Sequence, residues 1–451
     1  MNIGRATLTP IAALAIVIVL GEWSGLARAI LDVPAYAALL DVVVVAVALL
    51  TVWRAVRHRE TIRLHPLDWL VAAFFVLAAI QILNPNVPSP LVGLEGFRKT
   101  AFTMLAYPIV RFAGQSDGLP FYRIIAIGSV AAFLWSIRQS VSPLPIELEI
   151  ISSSGVSEIS FHSGPVLRAF APTAGPFHLG ILGAAVAVIA SVAARRSSRW
   201  FIGIAVLAAI ALGVSLTRAN QLAAVAAFGA IILASAPTRE RIRTLARFTP
   251  VVVALGLAIF VTARSVVPTT PPIEPGGPAG PVGSLEPGEP NPLPNPLEDR
   301  SLRFRFEYWA EHLGAISERP LIGYGTSSAG DGFDRHYRGT GSENFNSHSL
   351  YLKAALELGL IGLALILAIL GLAVLECRRA YRRHPEVALI AFGLLTITGI
   401  SGFAGPMLDA YPFNLLLWAT IGWIVASGTA AASAPDEALE QPLVVGRDAL
   451  P

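Results

Sequence analysis

Three short segments beside apolar runs carry side chains that could do chemistry. Arg218 lies in the tight turn Leu216–Asn220, Arg303 and Arg305 open an amphipathic segment, and His348 directly precedes a long apolar run. A histidine at a water–lipid boundary can be neutral near pH 7 and accept a proton. Arginines at such places can also snorkel or meet lipid headgroups. The sequence therefore predicts a candidate polar site at the edge of an apolar protein.

The composition assigns that apolar protein to the membrane. The chain has 451 residues, of which 54% are hydrophobic and 14% charged, and its mean hydropathy is +0.63. Soluble domains carry roughly a quarter charged residues. The single cysteine, Cys377, excludes an intramolecular disulfide and a Cys/His metal cage. We predict no cofactor, no metal and no nucleic-acid partner.

The fold class predicted is an all-α, polytopic transmembrane helix bundle of about twelve spans. A span needs roughly 20 mostly apolar residues. The predicted spans are Leu8–Ala27, Pro34–Trp53, Leu67–Leu83, Lys99–Val110, Phe121–Ile137, His178–Ala194, Trp200–Leu216, Ala219–Ser235, Pro250–Ala263, Ser349–Leu375, Val387–Phe403 and Phe413–Ser427. Asp41, inside the second span, is interpreted as structural.

Arginine clusters set the orientation, because basic residues favour the cytoplasmic side. With the amino terminus inside, the clusters at residues 54–63, 195–199, 239–247 and 378–383 all fall on the cytoplasmic side. Arg218 is then an isolated arginine in a short turn on the outer face, which favours a binding role for it. The first span has an alternative interpretation as a signal peptide, with Ala27-Arg28-Ala29 resembling a cleavage site.

The longest connection, residues 264–348, is predicted to be an external segment between spans 1–9 (residues 1–263) and spans 10–12 (residues 349–429). Its part 268–297 contains eleven prolines and five glycines and is predicted to be a linker or a disordered flap. Over 301–318, Phe306, Trp309, Leu313 and Ile316 recur at helical spacing and predict an amphipathic surface helix. Residues 430–451 are predicted to form a cytoplasmic tail.

Several motifs carry a resemblance to a known family. The order Arg305-x-x-x-Trp309, Pro320-Leu321-Ile322-Gly323-Tyr324-Gly325, His348-Ser349-Leu350-Tyr351-Leu352 and Glu357-Leu358-Gly359 resembles the carboxy-terminal signature of the O-antigen ligase and polymerase superfamily. Asn84-Pro85-Asn86, Gly93 and Gly96-Phe97-Arg98 are similar to its first outer loop, and Arg168-Ala169-Phe170 and Pro176-Phe177-His178-Leu179-Gly180 to its second. Thr217-Arg218 matches the usual Ser-Arg-Gly turn only in part, because Ala219 replaces the glycine. The resemblance covers about residues 66–429 and is most specific over 301–359.

The resemblance implies a bacterial inner-membrane glycosyltransferase with its active site on the periplasmic face. Its donor would be a glycan on a polyprenyl (undecaprenyl) diphosphate, and its acceptor a hydroxyl of a glycan or lipid-glycan. By position, Arg218 and Arg305 would hold the diphosphate and His348 would be the catalytic base, with inversion and without metal. Further candidate contacts are Arg303, Arg168, Arg98, His178 and Glu357.

Alternatives from the same sequence are a repeat-unit polymerase of the same superfamily, a transporter or flippase of lipid-linked glycans, and a non-catalytic envelope scaffold. Transporters commonly show internal repeats, and no such repeat is visible here. A scaffold gives no reason for outer arginines and an interfacial histidine to occur together. Ligase and polymerase differ in the acceptor, which the sequence does not name.

Overall fold

The structure, a computed structural model, describes residues 8–31, 35–57, 63–113, 118–153, 161–163, 166–235, 238–264, 300–329, 348–405 and 407–429. Within these ranges the chain folds into sixteen α-helices and one two-stranded β-hairpin. The predicted all-α helix bundle is confirmed. The predicted linker 268–297 and the predicted tail 430–451 lie outside the described residues.

The amino-terminal part runs from the first helix to the hairpin. Its helices are α1 (Leu8–Gly21), α2 (Ser24–Leu31), α3 (Ala35–Arg57), α4 (Pro66–Ile80), α5 (Pro90–Thr100), α6 (Ala106–Phe112), α7 (Leu119–Val141) and α8 (Pro145–Ser153). Single 3-10 turns at Gln81–Leu83 and Phe102–Leu105 follow α4 and precede α6. The hairpin pairs β1 (His162–Ser163) with β2 (Val166–Leu167) in antiparallel register.

The carboxy-terminal part contains the remaining helices. They are α9 (Pro176–Ala193), α10 (Trp200–Val214), α11 (Arg218–Ala234), α12 (Thr238–Arg264), α13 (Arg300–Glu318), α14 (Leu350–Tyr381), α15 (Pro385–Ser401) and α16 (Phe413–Thr429). A 3-10 turn at Met407–Asp409 lies between α15 and α16.

Twelve of these helices coincide with the predicted spans. Among the described residues six helices are long and apolar enough to cross a membrane. Six further apolar helical stretches are 10–17 residues long, and the one at α6 includes the 3-10 turn before it. The number of spans therefore stays a prediction. Boundaries differ in places: the ninth begins at Thr238 and contains Pro250, and Lys99 belongs to α5 instead of the fourth span.

Helix α9 is the centre of the bundle. Of its 18 residues 89% are buried, and it packs against α7, α10, α11 and α15. Small residues allow this close approach: a Cβ on Gly183 would lie 2.9 Å from the carbonyl oxygen of Ala208 on α10. The amino-terminal end of α9, at Phe177 and His178, is consequently fixed among its neighbours.

Helix α14 is broken at Gly359, where φ is 71° and ψ is −175°, a region that only glycine adopts readily. The break exposes backbone groups that an intact helix would pair. The signature turn, residues 320–325, takes them up: Tyr324 N donates to Leu356 O at 2.8 Å, and Leu360 N donates to Pro320 O at 2.7 Å. The Pro-Leu-Ile-Gly-Tyr-Gly motif is therefore the segment that docks into a broken helix.

Candidate functional site

Arg168 lies just after the β-hairpin and is attached to the turn that precedes Arg218. Its Nε donates to Ser215 O at 3.2 Å, and Ala169 N donates to Val214 O at 3.0 Å. Val214 is the last residue of α10, and Arg218 is the first residue of α11. The second outer loop is thus fastened to the start of α11.

Three arginines from separate segments form one electropositive cluster, which we call the arginine cluster: Arg168, Arg218 of α11 and Arg305 of α13. Burial, together with repulsion by the positive charges of Arg305 and Arg218, lowers the pKa of Arg168 to about 10. The guanidinium therefore remains charged at neutral pH although its surroundings oppose the charge. Perturbed groups of this kind concentrate at functional sites.

The turn before Arg218 is strained and tightly packed. Leu216 has a φ of 51°, which is uncommon for a residue other than glycine. Ser215 Oγ and Thr217 Oγ1 are 2.7 Å apart, and a Cβ on Gly180 of α9 would lie 2.0 Å from Thr217 Oγ1. Ala219, where the family has glycine, lies inside α11 and needs no positive φ.

His348 also has a left-handed backbone, with a φ of 40°. It is half-buried and directly precedes Ser349, the N-cap of α14. Leu350 N donates to Gly402 O at 2.7 Å, and Ser349 Oγ donates to the same oxygen at 3.2 Å. Strained residues cluster at active sites and ligand-binding sites, and here the strain falls on the histidine that the sequence singled out.

A chain of contacts joins the surroundings of His348 to those of Arg218. The segment after Gly402 approaches α9, since a Cβ on Gly405 would lie 2.1 Å from the Phe177 ring. Phe177 O in turn accepts a hydrogen bond of 3.1 Å from Asn220 Nδ2, in the first turn of α11. The amino-terminal ends of α9, α11 and α14 therefore meet, with His178 beside Phe177 at this junction.

The first outer loop and the signature turn also pack on each other. Gln81 Nε2 donates to Ile322 O at 2.8 Å, and Thr326 Oγ1 donates to Gly93 O at 2.8 Å. A Cβ on Gly96 would lie 2.1 Å from Ser327 N. Two motifs more than 200 residues apart in sequence thus form a single structural unit.

Glu357, a candidate contact from the sequence, lies in a buried ionic network. Lys353 Nζ is 2.7 Å from Glu357 Oε1 and 3.3 Å from Asp409 Oδ2. Thr100 Oγ1 donates to Glu357 Oε2 at 2.8 Å, and Ser327 N donates to Oε1 at 3.2 Å. Both carboxylate oxygens therefore bond protein groups. Sequence reasoning missed Lys353 and Asp409, although the i, i+4 spacing of Lys353 and Glu357 was a usable signal.

The remaining candidates occupy other positions. Arg98 bonds Asp41 of α3, which gives that intramembrane carboxylate an interhelical partner. The backbone of Arg303 lies in α13, and its side chain lies outside the described residues. Within those residues no group of three or more His, Cys, Asp or Glu side chains is placed to hold a metal ion.

The predicted surface helix forms as α13, with two different faces. Ile316 is buried with Ala329, Ala355 and Leu356, so this face packs on α14 and the signature turn. Phe306 and Leu313 are 57% and 58% exposed. Exposed apolar side chains suit a helix at a membrane surface, and that location stays a prediction.

The fold defines the class of the protein: a multi-pass, all-α membrane protein whose candidate site lies at helix ends and the connections between them. Residues 203–367 match the sequence model of a family described as O-antigen ligase, and this match supports the assignment of the chain to the O-antigen ligase superfamily. The resemblance drawn from the sequence is confirmed. At family level it indicates a glycosyltransferase-like activity in polysaccharide biosynthesis, with lipid-linked glycan substrates. The matched range includes Arg218, Arg305, His348 and Glu357. No curated protein matches the chain.

Proposed function

We propose that this protein transfers a glycan from a polyprenyl (undecaprenyl) diphosphate to a hydroxyl group of a glycan or lipid-glycan, as an O-antigen ligase does. The reaction takes place at the periplasmic face of the bacterial inner membrane. The observation that supports this most strongly is the arginine cluster, in which Arg218 and Arg305 lie close enough to lower the pKa of Arg168. Like charges gathered in this way favour a polyanionic ligand.

The donor diphosphate fits this cluster on chemical grounds. A guanidinium group offers two parallel hydrogen bonds to phosphate oxygens and stays charged. Arg218 is exposed and is the first residue of α11, where the helix dipole also favours an anion. Arg168 and Arg305 add charge from two other segments. The three together can neutralise a diphosphate leaving group without a divalent cation.

His348 is assigned the role of general base. Its imidazole takes the proton of the acceptor hydroxyl while the hydroxyl oxygen forms a bond to the anomeric carbon of the donor sugar. The bond from that carbon to the diphosphate oxygen breaks, and the carrier diphosphate leaves with the electron pair. Displacement in one step inverts the anomeric centre. A base of this kind contributes about 10²- to 10⁴-fold to the rate.

A repeat-unit polymerase would use the same site with a different acceptor. Removal of the gene distinguishes the two activities. Loss of a polymerase leaves single repeat units in place of long chains, whereas loss of a ligase leaves finished polymer on its carrier. A transporter or flippase would move the carrier-linked glycan and form no new glycosidic bond. Product analysis with purified protein distinguishes it from both enzymes.

The test uses purified full-length protein with a polyprenyl-diphosphate glycan and an acceptor. Arg168→Lys, Arg218→Lys and Arg305→Lys each keep the charge and lose the planar two-point contact, so we expect roughly 10²-fold slower transfer in each. The matched control is Arg319→Lys, because Arg319 lies in the same external segment and stacks on Tyr324 with 5.1 Å between its Cζ and the ring centroid. It should retain full activity.

His348→Ala should abolish transfer and leave donor binding nearly unchanged, because the base acts on the acceptor. His162→Ala, in the outer hairpin, is its control. A further arm adds a chelator, which should leave the rate unchanged. Full activity of His348→Ala, or loss of activity on chelation, would contradict the metal-free histidine mechanism.

A further inference from the structure

An open apolar groove lies on the arginine-rich side of the bundle, between α4 and α6. Its volume is about 470 Å³, within the range of roughly 300–1,000 Å³ that is usual for sites of small molecules. The lining includes Trp69, Ala72, Phe75 and Val76 from α4, Leu105 from the 3-10 turn before α6, and Pro108 from α6. Such a surface suits a hydrocarbon chain and offers little to a polar ligand.

One end of the groove, which Asp68 and Tyr107 also line, is polar and already neutralised. Asp68 Oδ1 accepts hydrogen bonds from Tyr107 Oη at 2.5 Å and from Arg111 Nε at 3.3 Å. The second oxygen, Oδ2, accepts from His65 N at 2.7 Å. The carboxylate thus has a cationic partner, and it adds no net negative charge that would repel an anion.

Several arginines belong to the segments next to that end of the groove. Arg63 is exposed, precedes the lining residue Leu64, and its carbonyl accepts from Arg111 Nη2 at 2.9 Å. Arg57 ends α3, which packs on α6. His65 Nε2 is 3.4 Å from Glu376 Oε1, so the end of α14 lies alongside. Arg379 there is paired with Glu376, and its neighbours Arg378, Arg382 and Arg383 are exposed. We call these arginines the basic rim.

We propose that the groove binds an acyl chain of an anionic phospholipid from the cytoplasmic leaflet, with the headgroup on the basic rim. The apolar lining alone would accept any lipid chain. The rim adds selectivity, because basic pockets between helices on the cytoplasmic side bind anionic headgroups and each nearby arginine strengthens that attraction. The inference does not depend on the catalytic proposal, since this groove lies at the opposite end of the bundle from the candidate site.

Trp69 provides a direct probe, since it lines the groove and is 65% exposed. Full-length protein is placed in phosphatidylcholine vesicles containing a minor fraction of phosphatidylglycerol. Two preparations are compared, one with bromine on the chains of phosphatidylcholine and one with bromine on the chains of phosphatidylglycerol. Bromine quenches the fluorescence of a tryptophan in contact with it. The difference between wild type and Trp69→Phe isolates the signal of Trp69. We expect the anionic brominated lipid to quench Trp69 well beyond its share of the bilayer.

Two pairs of variants test the groove and the rim. Ala72→Phe fills the groove and should abolish the anionic preference, whereas Ala73→Phe changes the next exposed residue of α4, outside the groove lining, and should preserve it. Arg63→Gln should weaken the preference about fivefold, whereas Arg247→Gln, in another cytoplasmic cluster, should not. Equal quenching by the two lipids, or identical behaviour of Ala72→Phe and Ala73→Phe, would overturn the proposal.

Discussion

Replacing Lys353 should destabilise the protein far more than replacing its partner Glu357. The side chains of Lys353 and Glu357 are 1% and 0% exposed and lie 2.7 Å apart. Lys353→Met leaves Glu357 and Asp409 facing each other without the cation between them, and an uncompensated buried charge costs about 3–5 kcal/mol. Glu357→Gln keeps the shape and leaves Lys353 paired with Asp409 at 3.3 Å, so we expect a loss of about 1–3 kcal/mol.

The double variant Lys353→Met/Glu357→Gln measures the coupling free energy between the two side chains. Because it removes both charges of the closest pair, its loss should fall short of the sum of the single losses by about 0.5–3 kcal/mol. Residual stabilisation comes from the contacts that Thr100 and Ser327 make with residue 357. The network therefore links α5, the segment after the signature turn and α14.

Labelling of the single cysteine measures unfolding directly. Cys377 is the single cysteine of the chain and is 4% exposed, so a thiol-reactive fluorogenic dye labels the protein only when α14 leaves its neighbours. Midpoints from thermal ramps in one detergent rank the variants. A Glu357→Gln midpoint below that of Lys353→Met, or strictly additive losses in the double variant, would refute the assignment of Lys353 as the central cation.

Two further predictions concern the backbone and the orientation of the chain. Gly359→Ala should lower the free energy of unfolding by about 1–3 kcal/mol through backbone strain alone, and its Cβ would also clash with Leu321 O at 2.1 Å. The control, Gly371→Ala in the same helix, meets nothing within 4 Å and should raise the free energy of unfolding by up to about 1 kcal/mol. Equal unfolding midpoints of the two variants would contradict the broken-helix account. A reporter fused after Arg243 should read cytoplasmic and one fused within residues 276–293 should read external, and two reporters on one side would contradict the twelve-span topology.

The apolar runs predicted most of the architecture because the length of a membrane-spanning helix and its burial depend on consecutive residues of the sequence. They did not predict the helix α5: Gly93 and Gly96 were assigned to the first outer loop and Lys99 to the start of the fourth span. The two glycines act through contacts with Ile82 and Ser327. Nor did the apolar runs show the break in α14, where Leu356 to Leu360 are continuous with apolar residues on both sides and only the docking of a distant turn replaces their lost helical bonds.

The candidate site was predicted unevenly for a similar reason. Arg218, Arg305 and His348 stood out by position and by family resemblance. Arg168 was one of several secondary candidates until the structure placed it against the turn at Ser215 and within the electrostatic reach of Arg305 and Arg218. Such gathering depends on tertiary packing of segments 47 residues or more apart, and periodicity carries no information on it.

The docking of the signature turn into α14 has a consequence for the order of biosynthesis. Residues 320–325 leave the ribosome before Leu350–Tyr381, yet their backbone partners are Leu356, Glu357 and Leu360. The turn cannot reach its final bonds until the tenth predicted span has been inserted. The predicted external segment therefore reaches its final contacts only after that insertion, and a nascent chain halted before Gly359 would present α13 and Arg305 without the complete helix against which α13 packs.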